Sequence, residues 1–353
     1  VPRRQCADAH RQISTVSRFR IGLLRSPAVV SATLLPLLGA GAVDGGLDSH
    51  RLSAVVHHVA GVVGGPARPV ADIVRSTVDP DRSETIQVRT PAARVETALL
   101  TASPSDRSQV LAAAAAAGSL QQPYVLKAFA AGHSADEVVR FADSINGRSP
   151  VWLRKHLNLI EPDGPWLVTY HAALVKQVDD TTCGSTVIVM ARAMTDPIYA
   201  FDLTTGGGTR AAATADEFEA RLAAEEQRIH GATNTLWPEK LGTTPSGISA
   251  ELNRHVDALG ARYEVRIAGQ APGGRKARHA AVAAAESGQP VPVLVGDWLP
   301  RHYVLLIGVD RAGLLFYEPT EATLVRIGIQ DFLGGDVSAL GFPHVHAVIT
   351  PSH

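Results

Sequence analysis

Lys176–Arg192 reads KQVDDTTCGSTVIVMAR. One cysteine stands where an acidic, hydroxylated loop meets an apolar stretch that reads as a helix, and a glycine follows it directly. A buried structural cysteine needs none of that setting, whereas a nucleophile needs most of it. The attacking species is the thiolate, so the thiol must shed its proton near neutral pH. The unpaired N–H groups of a helix amino terminus favour a nearby anion. Cys183 occupies that position, with Thr181 or Thr182 expected to cap the helix and Gly184 expected to let a substrate backbone approach the sulfur. Gln177 lies six residues upstream. Its amide is placed to serve as one donor of an oxyanion hole, the Cys183 backbone N–H being the other.

A cysteine hydrolase also needs a histidine and a group to orient it. Beyond Gly288 the sequence becomes a series of short β-branched or aromatic runs: PVPVLVG, HYVLLIGVD, GLLFYEP, ATLVRIG and HVHAVIT, cut by Gly, Pro and Asp. His302 opens the second of these runs, after the loop GDWLPR, with Trp298 close enough to shield a reactive pair from water. A hairpin turn near DRAG brings the end of GLLFYE back beside the start of HYVLL, which sets Glu318 next to His302 across the strand pair. The expected roles are therefore nucleophile for Cys183, general base and acid for His302, orienter for Glu318 and oxyanion donor for Gln177. His344 and His346 alternate on one strand without a third metal ligand nearby and read as a solvent-facing pair. His156, His171, His230, His255 and His279 read as surface residues, and the charge-rich helix TADEFEARLAAEEQRIHG as a solvated face.

Upstream, the punctuation is helical. SPSDRSQVLAAAAAA from Ser103 has a serine cap and an early proline, and SADEVVRFADSI from Ser134 has capping-box spacing. SPVWLRKHLNLI from Ser149 repeats the Ser-Pro opening. Helices first and an antiparallel sheet after them make an α+β layout, divided as 46–165, a small all-α region, and 166–353, the domain holding the site. Residues 1–45 combine scattered arginines with the apolar run Ser26–Val43, the layout of a secretory or membrane-associated segment, against a cytoplasmic protein with a buried helical hairpin. A net charge of −1 with both signs dispersed, and aromatics at 5% that do not interleave with basic residues, leave no footprint for nucleic acid. Two cysteines, one of them Cys6 in the basic amino-terminal segment, make no disulfide framework.

Gln177, then TTCG, then HYVLLIGVD, then an acid followed by Pro319, resembles the bacteriocin-processing-peptidase-like family of cysteine peptidases over roughly residues 166–350. TTPSGISAEL and GQPVPVLVGDW resemble the connecting helix and a sheet strand of such domains. The resemblance implies a papain-like fold, in which the nucleophile helix packs on an antiparallel sheet. It also implies cleavage of a peptide or amide bond in a peptide or protein substrate, through a thioester and without metal or organic cofactor. Two positions depart from the family pattern: Glu318-Pro319 stands for Asp-Pro, and Ser185 for a frequent proline. The same residues would serve an acyltransferase or a glutamine deamidase, and the departures suit an inactive papain-like module that binds a peptide. Nothing in 1–160 resembles the ATP-binding or transmembrane parts of bacteriocin exporters.

Overall fold

Several helices begin where the sequence supplies a side-chain cap. The computed structural model describes residues 92–160, 166–208, 214–234, 242–270 and 273–352. Among the described residues the first five helices are α1 (Ala92–Thr101), α2 (Pro104–Ala117), α3 (Gln122–Ala130), α4 (Ala135–Ile145) and α5 (Pro150–Leu157). Ser103, Ser134 and Ser149 each accept a backbone N–H from the first turn they precede, and Ser134 with Glu137 completes the expected capping box. Neither α1 nor α3 is announced by such a signal.

Between the helices and the large sheet lies a short hairpin, β1 (Thr169–Tyr170) and β2 (Ala173–Leu174). Its two turn residues, His171 and Ala172, both have positive φ, the geometry that matches strand twist but disfavours non-glycine residues. Next come α6 (Cys183–Thr195), α7 (Pro197–Thr205), α8 (Ala215–Thr233), α9 (Pro245–Arg254) and α10 (Val256–Leu259). Thr214 with Glu217 forms the second expected capping box, at the start of α8.

The remaining elements are β3 (Tyr263–Ile267), α11 (Gly274–Glu286), β4 (Val291–Gly296), β5 (Pro300–Asp310), β6 (Gly313–Glu318), β7 (Thr323–Ile327), α12 (Ile329–Gly334) and β8 (His344–Pro351). Six strands form one antiparallel sheet in the order β3-β8-β4-β5-β6-β7. All five anticipated strands are present, and β3 is an unanticipated edge strand. The protein is therefore of mixed α+β class.

Both faces of the sheet are covered, which explains why β4 to β6 read as continuous apolar runs and not as alternating ones. Tyr303, Leu305, Ile307, Leu315 and Tyr317 point to a core shared with Val187, Val189 and Met190 of α6. Val304, Leu306, Leu314 and Phe316 point the other way, to Ala277, Ala281 and Ala285 of α11. A third cluster fills the α1–α5 bundle and takes in Phe201 of α7, edge-on to Phe141. The division near residue 165 is thus bridged by packing. It is bridged by polar contacts as well: Lys127 donates to the Met194 carbonyl at the end of α6, and Arg94 to the carbonyls of Asp257 and Ala258. His133 meets the buried Asp196, which caps α7, at 2.8 Å.

Two helical and histidine expectations need correction. Glu226 on the charge-rich helix α8 is completely buried, because it continues the apolar stripe of Phe218, Leu222 and Ile229 one helical turn at a time. His156 and His230 are buried as well; Tyr170 Oη lies 2.8 Å from His156 Nδ1, and Asn234 bonds the His230 ring. Among the described residues no helix is long and apolar enough to cross a membrane. The run Ser26–Val43 lies outside the described residues.

Candidate active site

Cys183 is the first residue of α6 and is buried. The expected cap is absent. Thr182 sits at the N-cap position, but its hydroxyl turns back to the Asp179 carbonyl, and the Thr181 hydroxyl goes to Asp179 Oδ1. The first-turn amides of α6 therefore receive no side-chain oxygen, and a buried helix start without a cap is suited to an external anion. Gly184 also serves the packing of the helix. A Cβ there would meet Thr243 Cβ at 2.9 Å and Ile248 Cδ1 at 3.0 Å, so glycine lets α6 approach the lead-in to α9.

His302 lies near the start of β5, opposite Val295 of β4. The β5–β6 turn is tight: the carboxylate of Asp310 accepts from the Ala312 and Gly313 amides. The register that follows, with Leu305 opposite Tyr317, carries Glu318 back to His302. Glu318 Oε1 and His302 Nε2 are 2.7 Å apart, and both side chains are nearly buried. Glu318 also accepts the Thr320 and Glu321 amides, each at 2.9 Å. Burial would raise this carboxyl, but the bonds from His302 and those two amides bring it down to about 2.

With Nε2 donating to Glu318, Nδ1 is the nitrogen left for the sulfur. Burial pulls His302 down, yet hydrogen bonds to Cys183 and Glu318, together with their charges, raise it to about 9. One imidazole thus holds its proton between a thiol at a helix start and an ionised carboxylate. Trp298 does not shield the pair; it is 91% exposed, its ring set roughly perpendicular to that of His344. Phe342 covers the imidazole instead, stacked at 5.5 Å. The strand pair His344 and His346 is engaged locally, His346 Nε2 lying 3.1 Å from the Asp297 carbonyl.

Gln177 joins the same neighbourhood. Its backbone N–H donates to the Pro319 carbonyl at 2.9 Å, and Thr320 Oγ1 reaches Gln177 Oε1 at 3.4 Å. Its Nε2 donates one hydrogen to the Asp179 carbonyl at 2.9 Å, which leaves the second available. The loop 318–321 therefore holds the histidine through Glu318 and the glutamine through Pro319 and Thr320. Thr320 escapes sequence reading because only the returning hairpin brings it to Gln177. Glu226 escapes it too, although its place on the apolar stripe of α8 was a usable signal. All four anticipated residues, Gln177, Cys183, His302 and Glu318, come together.

Compared with known proteins, the chain matches no family model, and no curated protein or solved structure matches it significantly.

Proposed function

We propose that this chain is a cysteine hydrolase of papain-like type, akin to the bacteriocin-processing-peptidase-like family, acting on a peptide or amide bond. The observation that carries the proposal is the His302–Glu318 pair, bonded at 2.7 Å, set beside Cys183 at the uncapped start of α6. In that arrangement the Cys183 proton rests on His302 Nδ1, and the thiolate adds to the scissile carbonyl carbon. The carbonyl electron pair moves to oxygen, where the Cys183 N–H and the free Nε2 hydrogen of Gln177 are the available donors. Collapse of the adduct expels the amine, which takes its proton from the imidazolium, and leaves a thioester. Water, deprotonated by the neutral imidazole, then releases the acid and restores the ion pair. Glu318 stays ionised throughout, keeping Nε2 as the protonated nitrogen and steadying the imidazolium.

The test is the rate of Cys183 alkylation by iodoacetamide against pH, with Cys6→Ser in every protein. Rapid alkylation at pH 5–6 that collapses in His302→Ala is the expected result. Slow alkylation with an ordinary thiol profile in both proteins would overturn the proposal.

A further inference from the structure

Glu226 is a buried carboxyl that the proposed mechanism does not use. It has no exposed surface and makes no ion pair among the described residues. Its Oε2 accepts the Val178 N–H at 2.8 Å, and Val178 immediately follows Gln177. Its Oε1 lies 2.9 Å from Thr186 Oγ1, in the first turn of α6 after Cys183. One carboxyl on α8 therefore ties the backbone beside the oxyanion donor to the helix that carries the nucleophile. The next residue, Gln227, reinforces the link from outside by donating to Asp179 Oδ2 at 3.1 Å.

We propose that Glu226 is a positioning residue that fixes Gln177 relative to Cys183 and thereby shapes the oxyanion site; the proposal rests on the cysteine-hydrolase function above. Stability alone gives a poor account of it, since a buried carboxyl without a cation is commonly less favourable than an apolar side chain of its size. The proton inventory supports a joint built to hold. The Thr186 hydroxyl has one hydrogen and two acceptors in reach, Glu226 Oε1 and the Thr182 carbonyl, both at 2.9 Å. When Glu226 is ionised, Thr186 donates to it. When Glu226 is protonated, its O–H donates to Thr186, which turns its own hydrogen to Thr182. Neither state leaves a buried group unpaired. Burial raises Glu226 to about 7 against the bonds from Val178 and Thr186, with the Asp179 charge adding to the rise. The joint therefore stays closed while that carboxyl titrates.

The test uses the full chain with Cys6→Ser and two probes. Iodoacetamide needs only the thiolate, whereas N-acetylglycinal adds to it and places negative charge on oxygen in the oxyanion site. Glu226→Ala is expected to weaken aldehyde binding by about 10- to 100-fold, the scale of an ångström's misplacement at a reacting centre, with alkylation essentially unchanged. Gln177→Ala should do the same, and the double variant little more, because one acts through the other. Glu226→Gln should restore most of the affinity, since its amide oxygen can accept from Val178 and its NH2 can donate to Thr186. If Glu226→Ala does not fold, Thr186→Val cuts the α6 end of the link and should show the same selective loss. Unchanged aldehyde binding in the folded variant, or parallel loss with both probes, would overturn the proposal. Fast alkylation of the parent without aldehyde binding would also overturn it while leaving the nucleophile intact. Slow alkylation of the parent, unaffected by His302→Ala, would instead remove the hydrolase function itself.

Discussion

Replacing Glu318 by glutamine keeps the size and one acceptor oxygen but removes the charge from the far side of His302. In the wild-type site His302 titrates at about 9 against an ordinary 6.5. That difference corresponds to roughly 3 kcal/mol in favour of the imidazolium. It is a net value, since burial opposes it, and the Cys183 sulfur and the Glu318 carboxylate supply it together. Losing the carboxylate's charge while keeping a hydrogen bond should bring His302 down by roughly one pH unit, or about 1.4 kcal/mol. The assay is the pH profile of Cys183 alkylation by iodoacetamide from pH 5 to 10.5, in a Cys6→Ser background. The upper inflection of the profile, where His302 loses its proton, should fall from about 9 towards 8 in Glu318→Gln and vanish in His302→Ala. An upper inflection that stays in place without the carboxylate would show that Glu318 does not act on His302 electrostatically, and the assigned triad would fail.

Three further outcomes follow from the same geometry. Gln177→Ala should lower turnover of any amide substrate by roughly 100-fold or more, the usual effect of losing one oxyanion donor, while iodoacetamide alkylation of Cys183 stays within a factor of about two; equal loss in both assays would remove Gln177 from the oxyanion site. Gly184→Ala should destabilise the fold by about 1–3 kcal/mol in denaturant unfolding, because the added methyl overlaps Thr243 and Ile248 in a packed contact; an unchanged midpoint would show that α6 moves freely there. Lys127 is held by burial at about 8 against 10.5. Between those values the unfolded chain binds the proton more tightly, so unfolding free energy should rise with pH through that window. The neutral amine can still donate to Met194, and Lys127→Met should flatten this rise; an identical slope in both proteins would refute the burial of a reluctant charge.

The elements that the sequence made legible are those set by local rules. Serine and threonine caps located α2, α4, α5 and α8, and runs of branched and aromatic residues located β4 to β8. The strand pairing around His302 and Glu318 was accessible because a short turn between two apolar runs leaves little freedom in which residues meet. Cys183 at a helix start, with Gln177 upstream, was legible because spacing along one segment constrains both. The edge strand β3 was not, since a five-residue run interrupted by Glu264 and Arg266 resembles a loop until β8 pairs with it. The β1–β2 turn was not, since His171 and Ala172 carry no sequence mark of positive φ.

By itself, then, the sequence determined where the capped helices start, where β4 to β8 run and which four side chains could form a reacting group. Tertiary structure alone decided what those groups rest on. Thr182 turns to Asp179 and leaves the α6 amides uncapped, Phe342 rather than Trp298 covers His302, and Glu226 is buried beneath the Gln177 loop. The physical reason is common to all three. A cap, a ring stack or a buried carboxyl depends on which surface is brought against it by residues distant in the chain, and no local periodicity encodes that choice.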